Sequence, residues 1–405
     1  MQHVKRLAAG IPTLLLALSL VLLAGCSIRA KPVPVEKKGY SFWPASPDEP
    51  RIQFLVAYNN SLDIAAPEKG LNQLIYGSEP REAYAINKPY GARMWNGCIY
   101  LCDVRSKGIT VLDLRKQQTR IMGASGANAI GEARDLAIAP DGTKYVVDVK
   151  QIAIHVFSPD ERFVTSFPLG TASPVGIALF GNLLYVTDFK NAHVKVLDRT
   201  TGKELRTIGH KGGEDGEFVG PLGVTTDKEG NVYVSDIMKA RVQKFSPEGK
   251  LLLAFGQSGD RPGNLNKPKQ LGVSSDGEIH IVDAAFNNVQ VFDPQGKVVG
   301  YYGSLGRHPG AMDLPAGLDI HEGDWDVFAK YVHPAFQPER LIVVANQFGN
   351  QKISVYAMGH LKPGKTVADI SAGRGRVETG LAPATQPTSQ PASRPVDSGD
   401  KTTTR

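Results

Sequence analysis

The chain has 405 residues, including 43 Gly and 27 Pro, and its formal net charge is +6. This composition suits many short strands joined by tight turns. Residues 50–360 carry 33 basic and 33 acidic side chains, so the positive excess lies outside that region. Because nucleic-acid binding needs positive charge clustered on the folded domain, the balance argues against a nucleic-acid partner.

The first 26 residues have the pattern of a secretory signal peptide. Lys5 and Arg6 form a positive start, and an apolar run over residues 11–25 ends in small residues. A helix needs about 20 apolar residues to span a bilayer, and this run is shorter. We therefore predict a signal peptide, with an uncleaved membrane anchor as the alternative.

The end of the apolar run, Leu23-Ala24-Gly25-Cys26, resembles the lipobox of bacterial lipoproteins. In that family the cysteine is lipidated and becomes the mature N-terminus, and several acyl chains together give stable anchoring. The resemblance predicts lipidation of Cys26. Since Ser27 rather than Asp follows, it also favours the periplasmic side of the outer membrane over the inner membrane.

Residues 27–50 contain five prolines among charged residues. Proline-rich segments of this kind are stiff and extended. We predict a tether between the anchor and the folded part of the chain.

One unit of four strands then recurs along the chain. Each copy has a first apolar strand after a Pro-x-Gly turn or a variant of it, a second strand ending in Asp, a third ending near Phe, and a fourth apolar strand. The fullest copy covers residues 220–256, and the others begin at Lys88, Glu132, Ser173 and Lys267. Four-stranded units at this period are typical of β-propeller blades.

The repeated aspartates end the second strands and recur every 40 to 48 residues, at Asp103, Asp148, Asp188, Asp236 and Asp283. A short carboxylate at a strand end can accept backbone N–H bonds and hold the following turn. A catalytic residue would be expected once rather than five times. We therefore predict that these residues are structural.

A sixth copy begins at Leu314 and is interrupted by an insertion at residues 323–339. Its second strand ends in Asn346 instead of Asp, and no fourth strand follows. An isolated apolar strand, residues 51–58, precedes the first copy, and pairing it here leaves no open sheet edge. The sequence thus predicts an all-β, six-bladed propeller over residues 51–360, with four-stranded antiparallel blades and the last blade closed by the N-terminal strand.

The insertion is rich in aromatic residues: Trp325, Phe328, Tyr331, His333 and Phe336. These side chains either form an exposed interaction patch or pack down against the propeller. The acidic stretch at residues 321–326 could offer oxygens to a divalent cation, but it lacks a regular ligand pattern, and we predict a solvated loop.

Cys98 and Cys102 lie four residues apart on a predicted strand. Their Cα atoms should be about 13 Å apart, whereas a disulfide needs less than about 7 Å. No second Cys or His pair completes a zinc signature. We predict two buried thiols.

The last 45 residues, 361–405, include the stretch PATQPTSQPASRP and few large apolar side chains. Such a composition cannot build a core, so disorder is expected. Contact with the cell wall, or glycosylation, is the alternative to a solvated tail.

The repeats resemble the NHL family over residues 50–360. The Gly-rich stretches at 209–224 and 256–273 look like the links between NHL blades. The resemblance implies a six-bladed propeller of NHL type, and NHL propellers with an altered last blade are common among bacterial lipoproteins.

Binding on a propeller is expected at variable loops over the rigid scaffold. The loops after the second strands share one face with the interblade links, around the channel mouth. Our candidate ligand contacts on these loops are Arg105, Lys190, Asn191, His193, Lys239, Arg241, Phe286, Asn287 and Phe348.

The chain has no Ser nucleophile motif, no phosphate-binding loop between a strand and a helix, and no haem-attachment motif. We therefore hypothesise a monomeric, non-catalytic binding scaffold without a cofactor, with a protein or an envelope polymer as its ligand. Resemblance to propeller hydrolases and lyases leaves an alternative: a metal-dependent enzyme with its site at the channel mouth.

Overall fold

The structure, a computed structural model, describes residues 40–65 and 83–371. The predicted signal peptide, Cys26 and most of the predicted tether and tail lie outside these residues. Helix in the described part is limited to α1 (Val367–Ser371) and to three single turns, Ser61–Asp63, Trp325–Val327 and Ala329–Tyr331. None of the helices in these two ranges is long and apolar enough to cross a membrane.

The described strands form six antiparallel sheets arranged as the blades of a propeller, which confirms the predicted fold class. Blades one to five each use four consecutive strands. Blade one contains β3 (Pro89–Trp95), β4 (Cys98–Asp103), β5 (Ile109–Asp113) and β6 (Gln118–Met122). Blade two contains β7 (Ala133–Ile138), β8 (Lys144–Asp148), β9 (Ala153–Phe157) and β10 (Phe163–Pro168).

The next three blades repeat this order. Blade three contains β11 (Pro174–Phe180), β12 (Leu183–Asp188), β13 (His193–Asp198) and β14 (Glu204–Ile208). Blade four contains β15 (Pro221–Thr226), β16 (Val232–Asp236), β17 (Arg241–Phe245) and β18 (Leu251–Phe255). Blade five contains β19 (Pro268–Val273), β20 (Ile279–Asp283), β21 (Asn288–Phe292) and β22 (Val298–Tyr302).

Blade six joins both ends of the folded chain. Its strands from the centre outward are β23 (Pro315–His321), β24 (Phe336–Asn346), β25 (Ile353–Leu361), β2 (Ile52–Tyr58) and β1 (Ser41–Trp43). Strand β2 pairs antiparallel with β25 along its whole length, so the predicted closure by the N-terminal strand is confirmed.

The fifth strand of this blade differs from the prediction, because β1 lies in the segment interpreted as a tether. Its apolar side chains explain the pairing. Phe42 is buried and its ring packs 5.6 Å from that of Phe336, and the Trp43 ring lies 5.9 Å from that of Tyr356. The packing of these two rings stabilises the pairing of β1 with β2 despite the prolines in the flanking residues.

The first strand of each blade belongs to an inner ring, in which neighbouring first strands contact one another in chain order. The second strands are almost completely buried, because each blade is sandwiched between two others. The glycine of the Pro-x-Gly repeat allows the inner strands of neighbouring blades to lie close together. A Cβ at Gly176 or at Gly223 would lie 2.5 Å from a backbone carbonyl oxygen of the next blade.

The insertion in blade six packs down onto the propeller. Phe328 and Phe336 are completely buried, and Tyr331 is partly buried against the same cluster. The buried Gln53 amide on β2 holds the insertion in place: its Nε2 donates to the Tyr331 carbonyl at 2.8 Å, and its Oε1 accepts from the His333 N–H at 3.0 Å. Of the two alternatives for the aromatic residues, the structure favours packing.

The acidic stretch of the insertion is joined to blade one. The Arg115 guanidinium donates to Asp324 at 2.7 Å and to Asp326 at 2.8 and 3.1 Å. These carboxylates therefore pair with a cation of the protein itself.

Cys98 and Cys102 lie at the first and fifth positions of β4 and are both buried and free, as their spacing predicts. Burial raises the pKa of both thiols. They therefore act as small apolar groups of the core.

Candidate functional site

The five repeated aspartates fasten each blade to the link that precedes it. Asp236 is typical: its carboxylate accepts the backbone N–H groups of Val219 and Gly220 from the link, and of Met238 and Lys239 from the following loop, at 2.9 to 3.2 Å. All five side chains are buried, and each accepts backbone N–H groups from both segments. The carboxylates thus fix the loops rather than face a ligand.

Asp148 has a further partner in the His155 ring, whose Nε2 lies 3.3 Å from Oδ2. Burial alone would raise the pKa of Asp148. The contact with His155 and four backbone N–H groups outweighs burial and brings that pKa down to about 2.

Asn346 replaces the aspartate in blade six and bonds differently. Its Nδ2 donates to the Gln351 carbonyl at 2.7 Å and to the Ser354 hydroxyl at 3.2 Å. An amide nitrogen is a donor, so it holds the loop through a carbonyl where a carboxylate would hold N–H groups. The blade-six loop is also longer, with six residues where the other loops have four or five.

We use the term loop face for the surface formed by the six loops between second and third strands, together with the interblade links. The six loops are residues 104–108, 149–152, 189–192, 237–240, 284–287 and 347–352. None of them contains Asp or Glu, and five contain Lys or Arg. These six loops are therefore basic, which the equal charge totals of residues 50–360 do not reveal.

The opposite face carries charges of both signs. Its turns between first and second strands include Asp141, Asp227, Glu229, Asp276 and Glu278, and its turns between third and fourth strands include Arg199, Lys203, Lys250 and Lys297. The six loops themselves thus favour an anionic ligand, whereas the interblade links of the same face also carry acidic residues such as Glu214 and Asp215.

Five of the nine candidate ligand contacts are exposed on the loop face: Arg105, Lys190, Asn191, Lys239 and Phe348. The Asn191 amide also completes the turn by donating to Asp188 at 2.7 Å. These side chains are available to a partner.

The other four candidates are partly or fully committed to the propeller. Arg241 is buried and donates to the Glu214 and Glu217 carbonyls at 2.7 and 2.9 Å. Asn287 accepts the Leu314 N–H at 2.8 Å. His193 and Phe286 are half-buried. Residue type and loop position alone could not separate these from the exposed set.

The channel mouth lies at the centre of the loop face and is encircled by the second residues of the inner strands: Tyr90, Arg134, Val175, Leu222, Lys269 and Ala316. Lys269 is only 9% exposed, and its Nζ donates to the Gln347 Oε1 at 3.3 Å. Burial, followed by repulsion from Lys88, Lys267 and Arg134, lowers the pKa of Lys269 to about 8.

Two side chains close the channel below its mouth. Asp135 and Gln270 occupy positions where the other inner strands have glycine, and the Gln270 amide donates to the Asp135 carboxylate at 3.1 Å. Asp135 also accepts from the Ile177 N–H at 3.2 Å and pairs with Arg93 at 3.2 Å. Burial raises the pKa of Asp135.

A small cavity lies above this closure, lined by Tyr90, Gly91, Asp135, Val175, Gly176, Leu222, Gly223 and Gln270. The sequence analysis did not single out these residues. The signal was present in the aligned repeats, since Asp135 and Gln270 depart from the Pro-x-Gly pattern.

A metal-dependent site would need several convergent ligands. Within residues 40–65 and 83–371, no group of three or more His, Cys, Asp or Glu side chains could hold a metal ion.

No protein-family model matches the chain. Solved structures similar to it include a protein of unknown function from Bacteroides thetaiotaomicron, with 14% identity, coverage of 76% of this chain and 75% of that chain, and a TM-score of 0.53. An auxiliary nutrient binding protein from Bacteroides ovatus has 17% identity, coverage of 67% and 69%, and a TM-score of 0.50.

Virginiamycin B lyase from Staphylococcus aureus is 12% identical, with coverage of 67% of this chain and 95% of that chain. Its TM-score of 0.48 is too low to support an argument about activity. At these identities the similarities establish a shared fold alone.

Proposed function

We propose that the protein is a non-catalytic binding scaffold of the bacterial cell envelope, held to a membrane by lipid on Cys26. Its loop face would bind a protein or an envelope polymer. The observation that carries this proposal is the composition of the six loops, which lack acidic residues and rest on buried carboxylates and Asn346.

The rigidity of these loops supports binding. Each is held by hydrogen bonds to the end of its own second strand, so little conformational freedom remains to be lost when a ligand is bound. Exposed groups such as Lys190, Lys239 and Phe348 supply cationic and aromatic contacts on this fixed surface.

The repeat pattern and the Gly-rich links support assignment of the propeller to the NHL type. The lipobox-like end of the N-terminal segment supports anchoring, and Ser27 supports the periplasmic side of the outer membrane. The metal-dependent enzyme has no cluster of ligands in its favour within the described part of the chain, and we do not propose it.

Site-specific photo-crosslinking in intact cells tests the proposal. A photoreactive residue is placed at Lys190 or Phe348 on the loop face, and at Lys203 or Lys250 on the opposite face as matched exposed controls. We expect discrete crosslinked envelope products from the first pair and none from the second. Crosslinking from the opposite face alone, or from neither face, would contradict the proposal.

A further inference from the structure

We infer that the channel mouth is a subsite for one compact anionic oxygen group, a carboxylate or a phosphate, held by Lys269. This inference deepens the proposed function and rests on it. It concerns residues of the inner strands rather than the exposed loops.

The first argument is the setting of Lys269. An ammonium removed from water is costly unless it is paired with an opposite charge. The hydrogen-bond partner that the described residues give Lys269 is the neutral amide oxygen of Gln347, and the charged neighbours that influence its titration are all cations. An ammonium has three N–H donors, so two remain for a ligand.

Asp135 does not neutralise this charge. One of its oxygens accepts the Leu136 N–H at 2.9 Å, and the other accepts from Ile177 and Gln270. Its ion-pair partner is Arg93, from the neighbouring blade. The carboxylate is thus engaged within the channel closure, and the positive charge at the mouth remains uncompensated.

The surroundings of Lys269 add to its attraction for an anion. The Arg134 guanidinium lies 4.7 Å from the centre of the Tyr90 ring and pairs with Glu132 at 3.1 Å, while the Lys269 ammonium lies 5.8 Å from the same ring. Tyr90 thereby places two cations at one edge of the mouth. Lys88 and Lys267 contribute further positive potential.

The shape limits what can enter. The cavity below the mouth, lined by Asp135, Val175, Leu222 and Gln270 among others, is small, and Lys269 does not line it. A group held by Lys269 would therefore lie at the mouth itself, with the rest of the ligand on the loop face.

Calorimetric titration of the full-length protein in detergent tests this subsite, with D-glucuronate, inorganic phosphate and neutral D-glucose as the probes. We expect at least one of the two anions to bind and glucose not to bind. Binding of glucuronate alone would identify a sugar carboxylate as the source, and binding of phosphate alone would identify a phosphorylated ligand.

Variants assign the binding to Lys269. Lys269→Met should lower the affinity for the anion at least tenfold, and Lys269→Arg should retain that affinity. Lys250→Met, on the opposite face, should bind the anion as tightly as the parent protein does. Anion binding unaffected by Lys269→Met would overturn the inference. If no anion binds while loop-face crosslinking persists, the subsite is refuted and the proposed function stands. If neither anion binding nor loop-face crosslinking is observed, the subsite and the proposed function are both refuted.

Discussion

Gln270 and Asp135 meet across the propeller channel, where the Gln270 Nε2 donates a 3.1 Å hydrogen bond to the Asp135 Oδ2. The two residues belong to blades five and two, which stand opposite each other in the ring. The bond therefore ties together blades that share no sheet and no adjacent strand. It also separates the loop-face mouth from the rest of the channel.

Removing this bond should loosen the ring. Gln270→Ala deprives a buried carboxylate of a donor, which costs about 1–3 kcal/mol. We expect a fall in melting temperature of roughly 2–4 °C for each kcal/mol. Gln295→Ala, at an exposed turn, should leave the melting temperature unchanged. Equal melting temperatures for the two variants would show that the channel bond contributes nothing.

Because of Lys269, the free energy of unfolding should vary with pH in the alkaline range. Its pKa is lowered from 10.5 in the unfolded chain to about 8 in the fold. The folded protein therefore binds fewer protons than the unfolded chain between these values, and stability rises with pH across that window. The cations that face Lys269 are Lys88, Lys267 and Arg134.

The measurement is chemical denaturation of the parent protein and of Lys269→Met at pH 7 and pH 10. The free energy of unfolding of the parent should rise by about 2.5 kcal/mol more than that of the variant over this range. Below pH 8 in the absence of ligand, the variant should be the more stable protein, because it removes a buried charge. Identical pH profiles would argue against an uncompensated ammonium at this site.

Gln53 should govern the closure of blade six. Its amide satisfies the Tyr331 carbonyl and the His333 N–H, so Gln53→Ala leaves two backbone groups of the insertion without these partners. We expect a loss of about 3 kcal/mol in the free energy of unfolding. Gln118→Ala, on the exposed outer strand of blade one, is the control. A loss no larger than that of the control would mean that the insertion does not depend on β2.

The anchor is tested by fractionation. Cys26→Ala removes the thiol that would carry the lipid, so the protein should move from the membrane fraction to the soluble fraction. Ser27→Ala keeps the thiol and should remain with the membrane. Membrane retention of the Cys26→Ala protein would count against lipidation.

The sequence predicted the blades because each repeat carries its own strands, turns and terminal Asp. It also predicted the partner of β2, since blade six lacked a fourth strand. It did not predict β1, because the prolines around residues 44–50 are typical of a tether. The packing of the buried Phe42 ring on Phe336, and of the partly buried Trp43 ring on Tyr356, became evident only once the partner strands were placed.

The site was harder to predict, because its residues are far apart in sequence. Lys269 and Arg134 come together only when the ring closes. The equal totals of acidic and basic residues in the domain gave no sign of this local positive charge. Arg241 illustrates the converse. Its position suggested a ligand contact, yet its guanidinium donates hydrogen bonds to the Glu214 and Glu217 carbonyls of the preceding link.

The central claim is that the loop face binds the ligand, and charge reversal tests it most directly. Protein carrying Cys26→Ala, free of its anchor, is titrated onto isolated cell envelopes with either Lys190→Glu and Lys239→Glu on the loop face or Lys203→Glu and Lys250→Glu on the opposite face. We predict at least a tenfold loss of affinity for the first pair and none for the second. An equal loss for both pairs, or a loss confined to the second, would contradict the account.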